Sequence, residues 1–187
     1  VKAVLGIHVD DILAASLQEG ILNEVEKSFS WGSPWEVNDF VFVGRRIVRH
    51  DNGNITLSQS HYATDVIITK VKQDHEAKMG SDRDAISEFR SATGSLQWMS
   101  GTTRPDIAAD TSLLQKGHSD LTYGDLAEAN SVLKYVKATA NTAVTIKPID
   151  MEKLVLIAFG DSAFANAPGG KSQGGYIVLA STPEALT

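Results

Sequence analysis

Val1, Ala3, Leu5, Ile7 and Val9 alternate with Lys2, Gly6 and His8, a period of two that predicts a strand with one buried face. Asp10-Asp11 interrupts the alternation before Ile12-Leu13-Ala14-Ala15 resumes it. Two carboxylates are therefore expected at the tip of an antiparallel hairpin built from about residues 3–9 and 12–16. Ser16 and Glu19 have capping-box spacing, and Leu17, Ile21, Leu22, Val25 and Phe29 recur at helical intervals, predicting a helix over about 18–29. Gly32 and Pro34 end it. The run Phe40–Val43 with Ile47 and Val48, then Asp51-Asn52-Gly53-Asn54, then Ile55 and Leu57, reads as a hairpin around an Asn-Gly turn.

From Ser58 the period lengthens to 3.6. Tyr62, Val66, Ile67 and Val71 mark one helix, and Ile86, Phe89, Thr93, Leu96 and Met99 a second. Pro105 suits the first turn of a third helix carrying Ile107, Ala108, Thr111 and Leu114, because its missing amide would have no partner there anyway. Thr122 with Asp125 caps a fourth, with Leu126, Ala129, Leu133 and Val136 on its buried side. Trp98, Met99, Leu113, Leu114 and Tyr135 are assigned to the core of this helical layer. Strands return at 143–146, 154–159 and 175–180, between Pro-Gly-Gly and Gly-Gly signals. The predicted class is α+β in three segments, 1–58, 59–142 and 143–187. A start inside a core strand and a final sheet of few strands suggest a piece of a longer protein.

Composition narrows the chemistry. With 42% hydrophobic and 21% charged residues among 187, the chain falls in the globular range, and no apolar run reaches membrane-span length. A soluble chain without a signal peptide is expected. The absence of cysteine removes disulfides, thiol nucleophiles and sulfur-rich zinc sites, leaving hard cations held by oxygen or imidazole. A net charge of −6 argues against a generic charge-driven nucleic-acid binder. The charge is uneven: residues 40–104 hold 9 basic and 7 acidic groups, and both flanks are acidic. Arg45, Arg46, Arg49, Lys70, Lys72 and Lys78 lie in that stretch and are candidates for a phosphate backbone, with ordinary solvated surface as the alternative.

Adjacent aspartates at a hairpin tip repel each other, and a magnesium or manganese ion completed by substrate phosphates would relieve the repulsion. The residues around them resemble a known family. Gly6-Ile7-His8-Val9-Asp10-Asp11-Ile12-Leu13 is similar to the aromatic-Val-Asp-Asp hairpin at the polymerase centre of copia-type retrotransposon reverse transcriptases. Further matches follow in family order. Phe42-Val43-Gly44 looks like the primer-grip hairpin, Ile55-Thr56-Leu57-Ser58-Gln59-Ser60-His61-Tyr62 like the I-x-L-S-Q-x-x-Y segment, and Phe89-Arg90-Ser91-Ala92-Thr93-Gly94-Ser95-Leu96 like the Y-R-x-x-x-G-S-L helix. Thr103-Arg104-Pro105-Asp106-Ile107 matches the T-R-P-D-I turn, and the run from Val132 to Thr139 the V-L-R-Y-L-K-G-T helix end. Beyond them, Ile157 to Ala165 looks like the first strand of the family's ribonuclease H domain, and Lys171 to Tyr176 like its R-S-T-S-G-Y segment.

The resemblance implies a palm hairpin and primer grip in 1–58, a thumb and connection in 59–142, and the start of a ribonuclease H-like domain in 143–187. It implies RNA-directed DNA synthesis by two-metal nucleotidyl transfer, with Asp10, and Asp11 more weakly, holding Mg2+ or Mn2+, and Asp161, at the end of a strand paired antiparallel with 175–180, serving a separate hydrolytic site. Template-primer duplex, deoxynucleoside triphosphate and the rest of the Pol polyprotein are the implied partners. The implied setting is cytoplasmic, within a virus-like particle, without a membrane. The family's sites draw further acids from outside 1–187, so the isolated chain is expected to be inert in both activities. His8 departs from the usual Tyr or Phe, beside the first metal ligand. A non-catalytic remnant that binds nucleic acid or protein is the main rival, and a small metal-dependent phosphatase would need more acids around Asp10. Gly169-Gly170-Lys171-Ser172 is not a phosphate-binding loop, because Ala165 stands at the required earlier glycine and a strand, not a helix, is predicted after it.

Overall fold

The computed structural model describes residues 2–18, 20–115, 120–167 and 170–186. The chain is mixed α and β, with three antiparallel sheets among those residues. Strands β1 (Ala3–His8) and β2 (Asp11–Ser16) form the expected first hairpin, with Ala3 opposite Ser16 and His8 opposite Asp11. A short helix α1 (Ile21–Lys27) follows. Strands β3 (Asp39–Phe42), β4 (Arg45–Arg49) and β5 (Ile55–Ser58) make a meander. The helical layer comprises α2 (Ser60–Asp65), α3 (Arg83–Ser100), a 3-10 turn Pro105–Ile107 leading into α4 (Ala108–Leu114), and α5 (Tyr123–Ala138). Strand β6 (Ala143–Ile146) then returns to pair with β5, and β7 (Val155–Ala167) with β8 (Lys171–Ser181) makes the last sheet.

The core is helical, and its spacing explains it. On α3 the buried residues are Ala85, Phe89, Ala92, Leu96 and Met99, alternating steps of four and three along one face. On α5 Leu126, Ala129, Leu133 and Val136 make the opposing stripe, and Ile107, Leu114 and Leu121 close the ends. Each large apolar side chain removed from water here contributes about 1.5–3 kcal/mol before entropy is counted. Both long helices are capped by side chains. Asp82 Oδ accepts from the Ala85 amide at 3.1 Å, and Thr122 with Asp125 forms the full capping box that the sequence predicts.

Several expectations are corrected. Helix α1 starts at Ile21, after Gly20 at φ 86°, not near 18. Ser16 ends β2 and spends its hydroxyl on the Lys2 and Gln18 carbonyls; its supposed capping partner Glu19 lies outside the described residues, as does Val1 of the first strand. Leu17 and Phe29 lie outside the helix and are exposed, and α1 itself buries no residue. Helix α2 stops at Asp65 because Val66 turns extended (ψ 135°), which leaves Ile67 exposed instead of on a helical face. The single hairpin expected over 40–57 is two, because Val43 and Gly44 both take left-handed φ values (50° and 69°) and turn the chain early. Strand β6, expected to open the third segment, is the edge of the sheet of residues 39–58, with Ile146 opposite Ile55. Met99 and Leu114 are core residues as assigned, whereas Trp98 is half-buried and Leu113 and Tyr135 are exposed. Of Gly169 to Ser172, Gly169 is outside the described residues, and the strand predicted next is β8. No helix among the described residues is long and apolar enough to cross a membrane.

Candidate functional site

The β1–β2 hairpin closes on the His8 and Asp11 pair, so its loop is Val9 and Asp10 alone. Two-residue loops require at least one left-handed residue, and glycine normally supplies it at the first position of a type II′ turn. Here Val9 supplies it, at φ 55°. A β-branched residue in that region is strained, at a cost of about 1–3 kcal/mol, and Val9 is 87% exposed, so no packing offsets the strain. Strain of this kind concentrates at functional sites. Val9→Gly is expected to keep the hairpin and relieve about 1 kcal/mol of this strain, slowing amide exchange of Leu5 to His8. Faster exchange in the glycine variant would show the turn to be unstrained.

The structure separates the two adjacent aspartates. Asp10 is the turn residue, and Asp11 is the first residue of β2, paired in the ladder with His8. Both are exposed, and neither carboxylate has a hydrogen bond or ion pair with another described residue. Asp161 was expected at a strand end but stands within β7, opposite Gly175, and its Oδ1 accepts from the Ser162 amide at 2.8 Å. Gly160, Gly174 and Gly175 have no side chains to cover it, and a shallow opening results. Among the described residues no group of three or more acidic or histidine side chains could hold a metal ion. Magnesium commonly uses one or two carboxylates and takes its other ligands from water and phosphate. Asp10 and Asp11 fit that role, but not that of a closed protein cage.

The remaining predicted residues do not share one surface. Phe42, Val43 and Gly44 form the end of the β3–β4 hairpin, with Phe42 opposite Arg45. Arg45 is held over the Trp98 ring, 4.9 Å from its centroid. Arg46, on the opposite face of β4, makes a fork with Asp39 (Nε to Oδ1 2.8 Å, Nη2 to Oδ2 2.6 Å), and each holds the other charged: the Asp39 carboxyl falls below, and the Arg46 guanidinium rises above, its ordinary value. Lys78 pairs with Asp120 at 3.2 Å. Arg49, Lys70 and Lys72 are exposed. Of the six cations assigned to a phosphate backbone, three are therefore committed within the protein.

Sequence reasoning missed a polar network that joins the motifs. Arg104 is 2% exposed, and its guanidinium donates to Asp106 (2.9 and 2.8 Å), to the Thr139 carbonyl (3.3 Å) and to Thr139 Oγ1 (2.8 Å), beneath the Tyr135 ring. Gln59 is buried, and its Oε1 accepts from the hydroxyls of Thr102 (2.5 Å) and Thr103 (2.7 Å). Tyr62 Oη donates to Ser95 Oγ at 3.1 Å. The I-x-L-S-Q, G-S-L, T-R-P-D-I and V-L-R-Y segments thus meet through side-chain bonds. The signal was present in Arg104-Pro105-Asp106, a cation and an anion flanking a helix-starting proline. No protein-family model matches the chain, and neither a curated protein nor a solved structure matches it.

Two carboxyls of this layer set an acid limit. Tyr123 Oη donates to Asp82 Oδ2 at 2.6 Å and, with the Ala85 amide, lowers the Asp82 pKa; the same bond raises that of Tyr123. The Arg104 guanidinium lowers the Asp106 carboxyl in the same way. A lowered native pKa stabilises fully above the ordinary carboxylate range, near pH 4, and the effect is lost as pH falls through the native values. The urea midpoint is expected to fall steeply below about pH 4, and less steeply for Asp82→Asn. An unchanged slope in that variant would remove Asp82 from the account.

Proposed function

We propose that the chain is a region of an RNA-directed DNA polymerase of the copia-type retrotransposon class, with the β1–β2 hairpin as its nucleotidyl-transfer tip. The observation that carries the reading is Asp10, without a partner among the described residues and on a turn whose preceding residue, Val9, is held in a left-handed conformation without packing support. An exposed carboxylate presented in this way at a hairpin tip is open to a cation and a triphosphate together. The motif matches add weight because they lie in family order, and four of them are joined by the hydrogen bonds of Gln59, Tyr62 and Arg104.

Asp10 and Asp11 would hold magnesium or manganese, which when bound lowers the pKa of the attacking primer hydroxyl and neutralises the transferring phosphate. What the chain's own residues do is simpler. The ladder pairing of His8 with Asp11 places the Asp11 backbone at the start of β2 and leaves Asp10 on the turn, and the β3–β4 end at Phe42, Val43 and Gly44 would bear on the primer strand. Asp161, on β7, would belong to a second, hydrolytic centre.

Two carboxylates are too few ligands for a two-metal site, so the chain alone is expected to give no primer extension on an RNA template with either metal. It is expected to bind an RNA–DNA hybrid, with affinity that falls as salt rises. Template-dependent extension by the chain alone would overturn the account of missing ligands. If the complete polyprotein containing this segment binds duplex with a steep salt slope yet makes no DNA, the non-catalytic binding module is the better reading.

A further inference from the structure

The turn of the β3–β4 hairpin meets the helical layer at Trp98. A Cβ added to Gly44 would stand 3.8 Å from Trp98 Cζ2, and the Arg45 guanidinium lies over the same ring. Trp98 is in the last turn of α3, and its carbonyl accepts from Thr102 Oγ1 at 2.7 Å. The same hydroxyl also lies against Gln59 Oε1, the two acceptors sharing its single proton. Gln59 follows β5 directly, and continuing the register that pairs Arg46 with Ser58 brings Arg45 level with it. The contacts therefore form a closed circuit: β4 to Trp98, to Thr102, to Gln59, and back along β5 to β4. Inside it, half-buried Arg45 has its Nε out of water and without a hydrogen-bond partner among the described residues, and the indole face is what that edge of the guanidinium meets.

We propose that Arg45 and Trp98 form a latch that sets the pose of the β3–β4 turn, making Arg45 a positioning residue and not a contact to the phosphate backbone. This deepens the polymerase reading and rests on it for what the turn carries. With Nε buried and the plane laid on the ring, the side-on Nε–Nη fork is closed to a phosphate, and the guanidinium is held by the helical layer. The turn needs such a fastening. Val43 is left-handed at φ 50°, and nothing in its own side chain favours that conformation.

The test has two independent arms. In the first, hydrogen exchange is followed in wild type, Trp98→Ala, Trp98→Phe and Arg45→Met. Trp98→Ala is expected to speed exchange of the β3–β4 amides about tenfold or more relative to Leu96 and Leu133 in the core, and Trp98→Phe, which keeps a ring face, to stay near wild type. Unchanged exchange in Trp98→Ala overturns the latch, as does loss of protection in the core and hairpin together. In the second, binding of a short RNA–DNA hybrid is measured against salt. Arg45→Met is expected to weaken binding with the slope of log K on log salt unchanged, whereas a fall of about one unit overturns the positioning role. If wild type binds no hybrid, the polymerase reading fails, and the exchange arm still decides the latch.

Discussion

Replacing Asp106 with alanine is expected to cost the helical core about 3 kcal/mol, and replacing Arg104 with methionine about 1 kcal/mol. The order follows from exposure. The Arg104 side chain is 2% exposed and the Asp106 side chain 35%. Removing the carboxylate strands a guanidinium that has no route to water, leaving only Thr139 and the Tyr135 ring to compensate it. Removing the guanidinium leaves a carboxylate that water already reaches. Methionine also keeps most of the packed volume of the arginine stem. The double variant is therefore expected to be more stable than Asp106→Ala alone, because the stranded charge is gone. Urea denaturation of the four proteins near neutral pH checks this. If Arg104→Met costs as much as Asp106→Ala, the pair is acting through geometry and not through a buried charge.

On the proposed polymerase reading, Asp10→Asn in the complete polyprotein is expected to lower primer extension about 10³-fold, the equivalent of the several kcal/mol that a metal clamp adds at a transferring phosphate. Asp11→Asn is expected to lose less, since Asp11 is tied into the ladder opposite His8 and Asp10 alone occupies the turn. Asparagine keeps the shape of the turn, so the hairpin should persist in both. The measurement is single-turnover extension on an RNA template, with hybrid binding measured beside it. Equal losses in extension and in binding would mean that Asp10 acts in holding the duplex and not in the chemistry.

How far the sequence revealed this architecture depended on whether the information was local. The capping box at Thr122 and Asp125, the stripe through Leu126, Leu133 and Val136, and the hairpin broken at Asp10 all follow from neighbours within a few residues. Each was legible. The pairing of β6 with β5 was not, since nothing in Ala143–Ile146 names the strand it joins. The early turn at Val43 and Gly44 was hidden because valine does not advertise a left-handed conformation, and the same holds at Val9. At the candidate site, Asp10 and Asp161 were found as chemistry-bearing residue types. Their surroundings were not: Asp161 sits within a strand because β7 runs on to Ala167. Arg45 was read as a free cation because its partner Trp98 comes from another element.

The β5–β6 pairing also bears on how the protein reaches its fold. The whole helical layer, from α2 through α5, lies between these two neighbouring strands. Pairing them early would close a long loop for only four residues of ladder, an entropic loss with little return. Once α3 and α5 have packed, the ends of that loop are held close together and β6 needs only to zip onto Ile55–Ser58. The edge of the sheet is thus expected to form late, after a core it is not part of. A defect in the helices, such as a stranded Arg104 against Thr139 at the end of α5, would first become visible as a frayed β6.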